Sequence, residues 1–314
     1  MRSLFCSALL VMIISCPALG GDIDRRAIPG DTKWVVHIDF ETLAKTQMGQ
    51  ALYESATRQE PNAEAIADSI GFVPLQDLHS ITVFDSHYGP SAGVALIRGR
   101  VEGEKLVTLL QTLAACREID HLGKTVYGFT YPALGRWDER FGCLVGDDGV
   151  LLAQSLDALT AVLDVLEQRS AAIGDDQLVE LAAPAGKAFL RAYTSEMPAI
   201  RQSSSQAAML QRVKSGYFEV GESDGNLNAT AKMTAISADD AVQIRMFIDG
   251  LVSFGRMSMS TSQSSSQPVW VSMLKDISVK DEKETVTISL STPVENILGM
   301  VGQLVRVGVS MAQP

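Results

Sequence analysis

SHYGPSAGVALIRGR, residues 86–100, admits two readings, and each implies a different fold. Gly89, Ser91 and Gly93 satisfy the Gly-x-Ser-x-Gly pattern, in which a strand delivers a nucleophilic serine to a sharp turn and a helix comes next. An α/β hydrolase using Ser91 would be the result. After Gly93, however, the chain continues as VALIRGR, where Val94, Leu96, Arg98 and Arg100 alternate with Ala95, Ile97 and Gly99. A period of two is that of a strand. With SITVFDS (residues 80–86) before the loop, the stretch reads as a β-hairpin with Gly and Pro at its tip. Pro90 also removes a backbone donor close to where an oxyanion would sit. The hairpin reading predicts an α+β architecture of mainly antiparallel strands, and the serine hydrolase is kept as the alternative function.

Upstream of the hairpin, KWVVHIDFETL (residues 33–43) alternates Trp34, Val36, Ile38 and Phe40 with Val35, His37 and Asp39, again a strand. Residues 42–57 and 60–70 are rich in Ala, Gln and Glu with apolar side chains three and four apart, which predicts helices. Downstream of the hairpin, residues 102–113 place Leu106, Leu109, Leu110 and Leu113 on one helical face. KTVYGFTY (124–131) is a strand, and FGCLVGDDGVLLAQ (141–154) a hairpin whose Asp148-Gly149 would supply a positive φ. Ser155 then caps a helix carrying Leu156, Leu159, Val162, Leu163 and Leu166.

The same order recurs further on. Residues 187–197 read as a strand, 197–214 as a helix, and 216–236 as a hairpin turning at Asp224-Gly225. Ser237 to Asp240 form a capping box ahead of Ala241, Ile244, Ile248 and Leu251, and residues 284–291 alternate as a strand. Thr292, Pro293 and Glu295 have the signature of a helix start. Three pairs of turns or caps, Gly89 and Gly225, Glu102 and Ala238, Ser155 and Ser291, each lie 136 residues apart. Leu227 occupies the place of Ser91 at that offset, so the turn glycine and not the serine is what recurs. These observations predict a signal peptide at 1–20 and, after it, two tandem α+β modules, 21–182 and 183–314, related by divergent duplication. Each module would carry amphipathic helices over one face of its own mainly antiparallel sheet, in a loosely ferredoxin-like arrangement.

The 314 residues are 46% hydrophobic and only 20% charged, with a formal net charge of −11, so the chain is globular and offers no basic stripe to a nucleic acid. MRSLFCSALLVMIISCPALG runs from Arg2 through an apolar core to small residues, the pattern of an export signal too short to span a membrane. Ile13-Ile14-Ser15-Cys16 also resembles a lipobox, which would make Cys16 a lipid anchor, although Pro17 after the cysteine argues for simple cleavage. The expectation is an exported, acidic, periplasmic or secreted protein without a transmembrane segment in the mature chain.

Candidate sites are few. Cys116 and Cys143, the two cysteines outside the signal, are candidates for one disulfide in an oxidising compartment, and neither belongs to a zinc-type pair. Met257-Ser258-Met259 lacks the His or Cys of a copper site, and Asp147-Asp148 lacks the Gly and Glu that complete a calcium loop. No cofactor or metal is indicated. One constellation carries potential chemistry. Val35, His37 and Asp39 share one strand face, as do Leu96, Arg98 and Arg100, and were the two faces to coincide, His37, Asp39, Arg98 and Arg100 would converge into a binding site for an anionic group. No catalytic residue is assigned.

AIPGDTKWVVHIDFETLAKTQMGQAL (residues 27–52) and LKDISVKDEKETVTISLSTPVENIL (274–298) together resemble a family of exported planctomycete-type bacterial proteins with an N-terminal Pro-x4-Trp-Val-x-His-x-Asp segment. The resemblance implies export and a two-module fold, and it brings no reaction, cofactor or catalytic residue with it. The function expected is that of a non-enzymatic exported protein that binds or organises other components of the envelope. A lipid-anchored periplasmic binding protein is the third possibility.

Overall fold

Twelve strands form a single antiparallel sheet in the computed structural model, which describes residues 22–59, 72–89, 93–113, 115–133, 136–174, 188–197, 205–261 and 273–298. In chain order they are β1 (Trp34–Asp39), β2 (Leu78–Asp85), β3 (Val94–Gly99), β4 (Ala115–His121), β5 (Lys124–Ala133) and β6 (Arg136–Val145). Next come β7 (Gly149–Ala153), β8 (Ala188–Thr194), β9 (Val213–Ser223), β10 (Asn226–Ala235), β11 (Ile277–Glu282) and β12 (Thr285–Pro293). The spatial order is β11-β12-β10-β9-β8-β1-β2-β3-β7-β6-β5-β4.

This overturns the expectation of two tandem modules with separate, loosely ferredoxin-like sheets. β1 pairs with β2 on one side and with β8 on the other, with Val35 opposite Tyr193 and His37 opposite Arg191, so one ladder crosses the boundary drawn at residues 182 and 183. The physical reason is the edge: a β1 left unpaired would present a row of open backbone donors and acceptors, and β8 satisfies them. From this central pair the order runs outward as β1-β2-β3-β7-β6 in one direction and β8-β9-β10-β12-β11 in the other, with β5 and β4 extending the first arm. The two outermost strands are protected by charge, Arg117, Glu118 and Asp120 on β4 and Lys280, Asp281 and Glu282 on β11.

The helices are α1 (Phe40–Ala44), α2 (Gln47–Gln59), α3 (Pro74–Asp77), α4 (Gly103–Leu113), α5 (Leu156–Leu166), α6 (Ser205–Leu210) and α7 (Ala238–Thr261). Their starts obey the local chemistry. Ser155 accepts from the Ala158 amide at the head of α5, and Ser237 Oγ accepts from the Asp240 amide at 3.1 Å while donating to its carboxylate at 2.7 Å. Glu222 on β9 accepts from the Gln47 and Met48 amides, both at 3.0 Å, and so fixes the first turn of α2 to the sheet.

Several local expectations are corrected. Of the helix expected over 197–214, residues 198–204 lie outside the described residues, α6 occupies Ser205–Leu210, and the helical part ends there because Val213 enters β9 and buries its side chain beside Ala235 and Ile244. β4 (Ala115–His121) fills the stretch between the helix expected at 102–113 and the strand expected at 124–131. Positive φ occurs at Gly146 and not at Gly149, whereas Asp224 and Gly225, at 54° and 75°, form the expected turn. Cys116 and Cys143 are free thiols. β5 lies between their strands, which puts the two backbones about 10 Å apart, beyond the roughly 7 Å that a disulfide can bridge. The register also turns them to opposite faces: Cys116 stands across from Phe129, and Cys143 across from Val126.

The largest core lies beneath α5. Leu159, Val162 and Leu163 pack on Leu96, Val126 and Leu151 of the sheet, and a short 3-10 turn, Arg25–Ala27, closes one side with Ala27 and Ile28. A second core joins Leu43 and Met48 to Phe189, Leu227 and Val294, and a third seats α7 through Ala241 and Ile244 on Val286. No described helix is long and apolar enough to cross a membrane.

Candidate functional site

His37 and Asp39 lie on the same face of β1, as their spacing requires, and both are buried. Asp39 stands across from Ser80 on β2, and Ser80 across from Arg98 on β3, so three of the four candidate residues do share one face of the sheet. Their polar atoms are otherwise committed. The Asp39 carboxylate caps α1, accepting from the Thr42 amide at 2.9 Å and from the Thr42 hydroxyl at 2.6 Å. His37 Nδ1 shares a hydrogen bond with the Thr82 hydroxyl at 2.9 Å. Arg98 is held between Asp24 and Asp148, each at 2.8 Å. Arg100 falls past the end of β3, where its amide donates to the Asp77 carbonyl and its side chain is exposed. Ser91 and Cys16 lie outside the described residues, but the strands on either side of the loop are plain: Phe84 of β2 pairs with Val94 of β3, and the loop leads into a strand and not a helix.

Among the described residues, two cavities border this half of the sheet. The larger, about 440 Å³, is lined by Asp24, Arg26, Arg98, Gly146, Gln168 and Ser170 among others. Its charges already satisfy each other, since Asp24 pairs with both Arg26 and Arg98. Burial alone would raise the Asp24 carboxyl, but its hydrogen bond and charge interaction with Arg26, joined by Arg98, outweigh that and hold it below the usual range. This cleft is a polar clamp between the N-terminal segment and the sheet.

The second cavity, about 280 Å³, lies beneath α4 on the face opposite α5. Its floor spans four neighbouring strands: Ile97 of β3, Val150 and Leu152 of β7, Leu144 and Gly142 of β6, and Phe129 and Tyr127 of β5. Its roof is the apolar face of α4, through Leu106, Val107 and Leu110, and Phe72 and Val101 complete the rim. The wall is carbon almost throughout. The Tyr127 hydroxyl is pushed above its ordinary range by burial first and by neighbouring Glu118, Cys116 and Cys143 next, so it stays neutral. Such a wall offers nothing to orient a nucleophile, a metal or a phosphate, and it is suited to taking apolar matter out of water. Among the described residues no cluster of three or more His, Cys, Asp or Glu side chains could hold a metal ion.

None of these lining residues is among the four candidate site residues. A signal for them was present: Val94–Gly99 and Gly149–Ala153 are apolar at nearly every position, which marks strands covered on both faces and requires a second layer over α4's side.

No protein-family model and no curated protein matches the chain. Two solved structures resemble it in fold. They are crystal forms III and I of TP0453, each with a TM-score of 0.50 and 8% identity, covering 90% of this chain and 99% and 98% of the other. A likeness at that identity concerns the fold alone.

Proposed function

We propose that this chain is an exported, non-catalytic protein of the cell envelope that holds a small apolar ligand, itself an envelope component, in the cavity beneath α4. The observation that carries the reading is the wall of that cavity, which is open to solvent and almost free of polar atoms. An exposed apolar cleft has a standing cost in water, and a bound apolar ligand removes it, at roughly 25 cal/mol for each Å² buried. An engineered apolar cavity of about 150 Å³ is enough to bind benzene. The space here is nearly twice that, room for an apolar group of about ten to twelve carbon atoms. The export signal at 1–20 and the resemblance to exported proteins support the location.

The test is the fluorescence of N-phenyl-1-naphthylamine, which brightens when it leaves water. The expected result is saturable brightening with the wild-type protein and its loss in Leu110→Trp, whose indole fills the cavity from the α4 side. Equal brightening in both proteins would place the dye elsewhere and overturn the reading.

A further inference from the structure

We infer that the outer face of α7 is an interface through which two copies of this chain pair about a two-fold axis at Gly250. The inner face turns Ala241, Ile244 and Val252 into the protein, where all three are buried and Ala241 and Ile244 pack on Val286. A surface helix is ordinarily polar on its other side. On α7, Val242, Met246, Gly250 and Phe254 follow one another there at four-residue spacing, with Met257 three residues further on and Leu251 beside Phe254. These five side chains are between 40% and 66% exposed. A helix apolar on both sides is covered on both sides, and a contiguous apolar stripe of a few hundred Å² left in water marks a surface that meets a partner.

A second copy fits this stripe better than a lipid surface does. Helices that lie in a membrane interface carry Lys and Arg beside the apolar face to meet the head groups. On α7 the two arginines are engaged within the chain: Arg245 is ion-paired with Asp249 at 2.8 Å and with Asp281 at 2.7 Å, and Arg256 donates to the carbonyls of Leu274 and Ile277, each at 2.9 Å. Asp239, exposed at the N-terminal end of the stripe, and the net charge of −11 further oppose an anionic bilayer. The six residues of the stripe bear no charge, so a two-fold axis through it brings no like charges together.

The stripe is also complementary to itself. Packed antiparallel about Gly250, each copy sets Met246 against Phe254 of the other, a thioether against an aromatic ring. Residues at four-residue spacing form the ridge that helices use in their commonest crossing, and the backbones come closest at the crossing point. Gly250 suits that point. Among the described residues, a Cβ built on it would meet nothing within 4 Å, so the glycine weakens the helix without serving any packing inside its own chain. Doubling a stripe of this size gives a contact of about 1,000 Å², the lower end of specific pairing, which sets the expected dimerisation constant in the micromolar range.

The experiment is sedimentation of the protein without residues 1–20 over micromolar concentrations, for wild type and Met246→Glu, together with oxidative cross-linking of Gly250→Cys. Wild type should dimerise, and Met246→Glu, which sets a charge against the Phe254 ring, should weaken the dimer at least tenfold. Gly250→Cys should cross-link at least tenfold faster than Ser278→Cys, an exposed position on β11 whose neighbour Val279 is the one that packs toward α7. Both cysteine variants keep Cys116 and Cys143, so those thiols contribute equally to each. Circular dichroism shows whether Met246→Glu folds; if it does not, the cross-linking decides. A monomeric wild type, a dimer that Met246→Glu leaves as strong, or equal cross-linking at the two positions overturns the inference. A monomer that floats with phosphatidylcholine vesicles, and no longer floats as Met246→Glu, also overturns it and assigns the stripe to a lipid surface. None of these outcomes bears on the cavity beneath α4, which lies over the other arm of the sheet.

Discussion

Helices α4 and α5 carry similar apolar spacing and lie on opposite faces of the same strands, yet only α5 is seated. Leu159 and Leu163 of α5 are fully buried, whereas Leu106, Val107 and Leu110 of α4 are only half-buried and roof an open cavity. The difference comes from what each helix meets. α5 descends onto Leu96, Leu151 and Phe141, and the turn carrying Ala27 and Ile28 fills the remaining space. α4 touches down at its first residue, where a Cβ on Gly103 would lie 2.7 Å from Leu144, and farther along it faces a floor with a glycine in it. Periodicity decides which side of a helix turns toward a sheet; the opposing side chains decide how closely it settles.

Truncating one leucine on each helix strains that contrast hardest. Leu163→Ala removes a fully buried side chain from a closed core and should cost about 2–5 kcal/mol, read as a lowered urea midpoint. Leu110→Ala enlarges a space that is already open and should cost about 1 kcal/mol or less. Similar losses from the two substitutions would mean that α4 is as firmly packed as α5, and the binding cavity would lose its basis.

A smaller effect concerns the clamp on the α5 side. Asp24 and Arg98 are 17% and 21% exposed, so their pair is better shielded than a surface bridge and is worth about 1 kcal/mol. The folded Asp24 carboxyl titrates below its ordinary value, so its stabilisation is complete above the unfolded value near pH 4 and is lost as the pH falls through the folded one. Asp24→Asn should therefore be less stable than wild type at pH 7 and lose less stability than wild type between about pH 4 and pH 2. Denaturant titrations at those pH values measure it, and parallel acid profiles would mean that the clamp does not hold the N-terminal segment onto the α5 face.

Much of this was legible in the sequence. Strand alternation at Trp34–Asp39 and the antiparallel pairing of β2 with β3 were given by local periodicity and turn residues, and so were the caps at Ser155 and Ser237. What local rules do not contain is which strand lies beside which, and the pairing of β1 with β8 joins residues more than 150 positions apart. The same limit governed the site. His37 and Asp39 drew attention by type, but burial beside Thr82 and the capping of α1 account for their placement. Gly142 drew none, since an absent side chain acquires meaning only when Leu152 and Phe129 are known to flank it.

The weakest effect reads the two faces through the two thiols. Cys143 points into the core beneath α5 and is 2% exposed; Cys116, on β4, stands across from Phe129 on the cavity side and is half-buried. Burial raises both thiols above their ordinary pKa, with the charge of Glu118 adding to the effect at Cys116, so neither is an activated nucleophile and exposure governs their reactivity. In the native protein at pH 8, a disulfide-exchange reagent should modify Cys116 at least tenfold faster than Cys143, because Cys143 reacts only after the α5 core opens. In denaturant without reductant, protein prepared without residues 1–20, and so without Cys6 and Cys16, should show two thiols. A count of zero would require Cys116 and Cys143 to be bonded, which the interposed β5 forbids, so that single number also tests the strand order β4-β5-β6 that forms the far end of the cavity floor.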